Sequence, residues 1–173
     1  MRDARSAVFT TSRLAIEPLG LTHAGALHAA LDHPDVHRFL TAPDVTSVDA
    51  LRERIARLAA TPPPAGERWW NFAVRQHNDG AVIGRLEATT YGAWGEIAYV
   101  FGPRWWGRGL ATEATAWLVG HLADHGCAEL WAAVHPANAA SQRLLLRLGF
   151  TAADRPGRPL GSFDPGDAVF RRE

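Results

Sequence analysis

The chain reads as a mixed α/β fold, with a mainly antiparallel central sheet flanked by helices, on three observations. Three strand-like runs, "WWNFAVRQ", "AVIGRLEATTY" and "GEIAYVFG", follow one another across short joins rich in turn residues. Apolar residues recur at helical spacing in the stretches around 47–58, 111–122 and 138–148. Strand and helix patterns interleave along the chain, which suits one layered unit.

In order, Leu14 and Ile16 alternate with polar or small neighbours in "SRLAIEPL", a strand that Pro18 closes. Thr22 is expected to cap a short helix through Leu27 and Leu31, stopped by Pro34. A second helix runs from about Ser47 through Leu51, Ile55 and Leu58, with Asp49 favourably placed in its first turn. "TPPPAGE", 61–67, cannot be regular helix and reads as a connection. Then come the three strands, turned at Asn78, Asp79 and Gly80 and again at "GAWG", as an antiparallel meander. From Ala111, the spacing of Ala114, Trp117, Leu118, His121 and Leu122 predicts a helix that ends at Gly126. "AELWAAVH" is a buried strand, Asn138 starts a last helix with Leu144, Leu145 and Leu148 inward, and Gly149 stops it. Two strands near Phe150 and Val169 complete the order.

The length of 173 residues suits a single domain spanning 1–173. Eighteen basic and eighteen acidic side chains leave no net charge, so general attraction to nucleic acid is not indicated and any charged partner is recognised locally. Cys127 is the only cysteine, which excludes an intrachain disulfide and fits a reducing cytoplasm. The start "MRDARSAVFTTSR" lacks the apolar stretch of a signal sequence, no segment approaches a membrane span, and the histidines lack ligand spacing, so neither membrane nor metal is expected.

"RWWGRGLATEATAWL" sets Gly107 and Gly109 between a strand and a helix. First-turn amides there, those of Leu110, Ala111 and Thr112, have no carbonyl partner within the helix, and the helix dipole favours an anion. Glycine lets a ligand approach the main chain and permits unusual dihedrals, while Arg104 and Arg108 add positive charge. A P-loop needs Lys and Ser or Thr after a longer spacing, and a dinucleotide fingerprint needs a third glycine. What remains is a pyrophosphate site of another kind, or glycines that only turn the chain.

"FGPRWWGRGLATEA" followed by "NAASQRLLLRLGF" resembles the two signature segments of the GNAT superfamily of acetyl-CoA-dependent N-acetyltransferases, in the branch typified by ribosomal-protein N-terminal acetyltransferases. "TSRLAIEPL" and "NDGAVIGRLE" extend the likeness over nearly the whole chain. The resemblance implies the GNAT acyltransferase fold and acetyl-CoA as cosubstrate. It places Trp106, Gly109 and Ala111 on the pyrophosphate motif, where Trp departs from the usual Gln or Arg. It also implies that the backbone of Tyr99, Val100 and Phe101 pairs with the pantetheine arm as an added strand.

The resemblance further implies a primary amine as acceptor, on a protein N-terminus or a small molecule, and such an amine must lose a proton to react. Glu96 matches the family's base position and Glu87 competes with it; an exposed strand-end carboxylate is the plainer reading of Glu96. The tyrosine that many relatives use to assist the departing thiolate is replaced by Leu145, leaving Ser141 as a candidate donor or as a helix-capping residue. Asn138 is either a helix cap or a pantetheine contact. Arg147 reads as a solvated side chain before a phosphate ligand, and His135 as a strand-end residue before a base. Trp69, Trp70, Trp94, Trp105 and Trp106 line an acceptor pocket, form a homodimer contact or pack in the core; Trp117 and Trp131 are core. The alternative to a transferase is a regulatory module that binds acetyl-CoA without transferring its acetyl group.

Overall fold

A computed structural model describes residues 7–40 and 46–173; the basic start of the chain lies largely outside the described residues. Eight strands form one sheet in the order β1-β2-β3-β4-β5-β6-β8-β7. β2 (Leu14–Pro18), β3 (Glu67–Gln76), β4 (Val82–Tyr91) and β5 (Trp94–Phe101) are successive antiparallel neighbours. β6 (Glu129–Val134) joins β5 in parallel, and β8 (Ala168–Arg172) lies antiparallel between β6 and β7 (Thr151–Ala152). The meander expected from the sequence is β3 to β5, and its first turn has Gly80 at φ +69° with Asp79 accepting from the Ala81 amide at 3.0 Å.

Helices cover both faces. On one, α4 (Leu110–Asp124) meets Trp70 and Phe72 of β3 with Trp117 and His121. On the other, α1 (Ala24–Leu31) packs against β4, and α3 (Val48–Ala60) reaches it through an Arg54–Glu87 ion pair of 2.6 Å. Alternation of side chains along a strand assigns the rest: Ile97, Tyr99 and Phe101 face α4 and α5 (Ala139–Arg147), whereas Glu96, Ala98 and Glu87 face α3. Leu14, Ile16, Leu86 and Leu118, each fully buried, anchor the α4 side of the core. Removal of such side chains from water is the main stabilising term of a fold of this kind.

Three local expectations are corrected. Thr22 does not cap α1: it sits inside a 3-10 turn, Leu21–His23, whose entry is held by the His23 ring accepting from the Gly20 amide at 3.0 Å. Pro34 does not stop α1, which ends at Leu31; it begins a short helix, α2 (Pro34–His37), at a position where its missing N–H costs nothing. A two-residue strand, β1 (Phe9–Thr10), precedes β2 and presents Phe9 to Phe72, Trp117 and His121. The second helix starts where expected, with Ser47 as its cap, accepting from the Ala50 amide at 3.0 Å.

Candidate active site

β5 pairs with β6 only from Trp94↔Glu129 to Glu96↔Trp131. Beyond Glu96 the strands part, β5 continuing to Phe101 on β4 and β6 to Val134 on β8. A cleft of about 1170 Å³ lies along this divergence, walled by residues 97–101, Ala132–Val134, the start of α4 and the first turns of α5. Strand phase decides which backbone groups face it. The Gly102 amide donates to Ile83 O at 2.9 Å, so Val100, Ala98 and Glu96 spend their main-chain groups on β4, and Ile97, Tyr99 and Phe101 turn theirs to the open edge. Val100 lines the cleft without an open-edge main chain; Ile97 joins Tyr99 there instead. The Phe101 carbonyl is taken by the Trp106 indole N–H at 2.7 Å.

After Phe101 a 3-10 turn, Pro103–Trp105, leads through Trp106 to the glycine pair and α4. Gly107 (φ +71°) and Gly109 (φ +74°) both occupy the left-handed region that disfavours a Cβ. Gly109 is the N-cap of the 15-residue α4 and leaves its first-turn amides without a side-chain partner. Trp106, Gly107, Gly109, Leu110, Ala111 and Thr112 line the cleft. Arg104 and Arg108 are not among the lining residues: both are exposed, and Arg104 stacks over Trp105.

The sequence reading passed over the brace behind this loop. Arg13 donates from Nε to Glu113 Oε2 at 2.6 Å, from its amide to Glu113 Oε1 at 2.8 Å, and from Nη1 to the Arg108 carbonyl at 2.9 Å. Thr11 Oγ1 adds a 2.6 Å bond to Glu113 Oε1. Glu113, in the first turn of α4, is thereby drawn onto the β1–β2 turn, and although burial opposes it, these donors hold its carboxyl below the usual carboxylate range. A residue pair separated by so much chain leaves no local pattern to read.

Glu96 is not the exposed strand-end carboxylate of the plainer reading. It is 7% exposed and accepts three hydrogen bonds: Gly161 N to Oε2 at 2.7 Å, Ser162 N to Oε1 at 2.8 Å and Ser162 Oγ to Oε1 at 2.5 Å. The donors come from the long β7–β8 connection, which Arg155 over Phe163 (3.7 Å) and Arg158 over Tyr91 (3.8 Å) pin down. A carboxylate offers about four acceptor positions, so one on Oε2 remains for a further donor. Glu96 and Glu87 share a hollow of about 220 Å³ with Trp69, Asn71 and Thr89 under Arg54 and Leu58 of α3; it meets the large cleft at Ile97, Ala98, Gly161 and Ser162. Glu87 is ion-paired with Arg54 at 2.6 Å and Arg85 at 3.4 Å, which commits its charge to guanidinium groups.

On the opposite face Asn138 caps α5, its Oδ1 accepting from the Ser141 amide at 3.1 Å. Ser141 Oγ lies 2.8 Å from the Tyr99 hydroxyl. Burial pushes the Tyr99 phenol up to about 12 against the opposing hydrogen bond from Ser141. Asn138, Ser141 and Arg147 line the cleft, as do Arg143 and His135, whereas Leu145 is fully buried in the core. Trp105 lines the cleft and Trp69 the hollow, while Trp70 is core, packed with His121 and His125. Trp131 is buried as expected, and Trp117 is partly buried against the core. Cys127 is buried and outside the cleft lining, and desolvation raises its thiol. Among the described residues no helix is long and apolar enough to cross a membrane.

The family model described as "Acetyltransferase (GNAT) domain" matches residues 13–151. No curated protein matches the chain by sequence. Among solved structures the fold is similar to that of a GCN5-related N-acetyltransferase from Brucella melitensis (TM-score 0.76, 22% identity, covering 99% of this chain and 80% of that one). It is also similar to an acetyltransferase of the GNAT family from Bacillus anthracis (TM-score 0.73, 18% identity, 95% and 96%). A third similar structure is the ribosomal-protein-S5-alanine acetyltransferase from Vibrio fischeri (TM-score 0.74, 14% identity, 96% and 96%). With the diverging strands, the glycine turn and a family match over most of its length, the chain belongs to the GNAT acetyltransferase family, whose members transfer an acyl group from an acyl-CoA.

Proposed function

We propose that the protein is an N-acetyltransferase that moves the acetyl group of acetyl-CoA to a primary amine by direct attack within a ternary complex. The observation that carries this reading is the run of open backbone from the Gly107–Gly109 turn to the point where β5 and β6 meet, ending beside a buried carboxylate. The pyrophosphate takes the amides of Leu110, Ala111 and Thr112. The pantetheine amides pair with the open edge at Tyr99 and Ile97 and with the Phe101 N–H, and Asn138 adds a side-chain contact. Phe101 lies five residue steps from Glu96, a reach of about 16 Å at strand rise.

The amine enters from the hollow on the α3 face and gives its proton to the remaining position on Glu96 Oε2, directly or through one water. Nitrogen bonds to the acyl carbon, the C–S bond breaks with its electron pair on sulfur, the nitrogen gives up its second proton to solvent as the amide forms, and the base's proton returns to the thiolate through solvent. Ser141 Oγ donates a hydrogen bond to that sulfur. No acetyl-enzyme is required, since Cys127 lies outside the cleft lining. The likeness of "FGPRWWGRGLATEA" to the ribosomal-protein branch makes peptides with free N-termini the first acceptors to try, ahead of small amines.

The test is an acetyl-CoA-dependent assay across an amine and peptide library, read by mass shift, beside calorimetry of acetyl-CoA. Acetylated product with release of one thiol per product supports the reading. Binding without release for any amine replaces it with the regulatory module, and no binding by folded protein removes both.

A further inference from the structure

The two faces of β5 carry different chemistry. Glu96 points to the α3 side, where the small hollow lies; Tyr99, three residues on, points to the α5 side and ends on Ser141. A thioester lying in the gap between β5 and β6 has an acyl carbon open to an amine from the first side and a sulfur turned to the second. The second side lacks an ionised base at its hydroxyl pair and holds two neutral hydroxyls 2.8 Å apart, one a phenol.

We propose that Tyr99 is a positioning residue for thiol departure: its hydroxyl donates to Ser141 Oγ, aiming the serine O–H at the sulfur as negative charge develops there. This inference rests on the transferase reading above and assigns a side-chain role to a residue whose backbone alone that reading uses. Ser141 Oγ has one proton and two acceptor positions. Without a fixed donor, its O–H can turn to the backbone carbonyls of its own helix, a familiar competitor for hydroxyls in helices. With the Tyr99 O–H occupying one lone pair, the serine proton is the one left to give, and the two bonds polarise each other. Burial keeps the phenol neutral throughout the working range, so it stays a donor and never becomes a competing anion. The Ser141 carbonyl, 3.3 Å from the phenol oxygen, is a second and longer acceptor for the same proton, so the 2.8 Å contact with Oγ takes it. The arrangement answers the absence of tyrosine at position 145, whose leucine is fully buried and faces the core: the phenol comes from strand β5 instead of helix α5.

No proton is transferred through the pair. The hydrogen bond stabilises the thiolate against its thiol, so the thiol of bound coenzyme is the direct readout and no acceptor amine is needed. Coenzyme A with a free thiol is titrated on the wild type, Tyr99→Phe, Ser141→Ala and the double variant, following thiolate absorbance in the ultraviolet against coenzyme-free protein. The expected result is a bound thiol pKa below that of free coenzyme A in the wild type. It rises by about one unit, tenfold in ionisation, in each single variant, with no further rise in the double variant. Calorimetry on each variant fixes the coenzyme A concentration that saturates it, so every thiol pKa is read on fully bound coenzyme. An unchanged thiol pKa in Tyr99→Phe, or shifts that add in the double variant, overturns the proposal. Failure of the wild type to bind coenzyme A instead strikes the transferase reading itself.

Discussion

Arg13 and Glu113, one hundred residues apart, are joined by a 2.6 Å ion pair while the same guanidinium holds the Arg108 carbonyl at 2.9 Å. The bracing fixes one side of the glycine loop and offsets a carboxylate that sits in the first turn of α4, the helix whose N-terminus is proposed to take the pyrophosphate. Arg13→Ala is expected to weaken acetyl-CoA binding about tenfold. Charge-assisted bonds contribute roughly 1.5–3 kcal/mol when well formed, and the half-exposed arginine belongs at the low end. Calorimetry measures the affinity, and thermal unfolding beside it reads how much of the same bonding energy the fold itself loses.

Gly107→Ala and Gly109→Ala separate backbone strain from crowding. An L-residue in the left-handed region costs about 1–2 kcal/mol. At Gly107 an added Cβ meets nothing within 4 Å, while at Gly109 it meets Arg13 Nη2 at 3.4 Å. Each variant is expected to lose acetyl-CoA affinity, the second more, since it also disturbs the brace. Equal affinity to wild type at Gly109→Ala speaks against a pyrophosphate at the α4 N-terminus.

Glu96→Gln keeps an acceptor for the Ser162 donors, turns its amide nitrogen toward Gly161 and removes the proposed base. Turnover is expected to fall by about 10²–10⁴, the usual worth of a general base, with acetyl-CoA affinity unchanged. Glu96→Ala additionally strands those donors, so its stability falls by about 1–3 kcal/mol. Chemical denaturation distinguishes the two.

His121 stacks on Trp117 (4.7 Å between ring centres) beside His125, and burial holds its imidazole down at about 4. The unfolded chain therefore binds a proton, between roughly pH 6.5 and 4, that the folded chain refuses; stability drops as pH falls through that window and is fully present above it. Glu17, held at about 2 by Arg75 and His23, contributes stability present above its ordinary pKa and lost lower still, as pH falls toward 2. Denaturant titration across pH 4–7 is expected to show a decline that His121→Phe flattens.

Strand and helix order was readable because burial periodicity is a local property. Leu14 and Ile16, or Ala114, Leu118 and Leu122, reveal their element within a few residues, and Ser47, Gly126 and Gly149 mark ends by their own chemistry. Phe9–Thr10 and Pro34–His37 were missed because two and four residues are too short to show a period. At the site, the glycine turn and Asn138 were legible from motif spacing. Arg13 with Glu113, Glu96 with Ser162, and Tyr99 with Ser141 were not, because each pair meets through the fold. Histidines meet in the fold as well: His121 and His125 pack ring to ring, and His28 and His37 share Asp32.

The parting of β5 from β6 sets a rule for inhibitor design. Under the proposed function, a conjugate uniting an acceptor mimic with coenzyme A has to thread a slot between two strands, since that reading puts its halves on opposite sides of the sheet. Slim, extended linkers should pass there, whereas a branched atom at the junction would press on Ile97 and Ala132, both packed in the core.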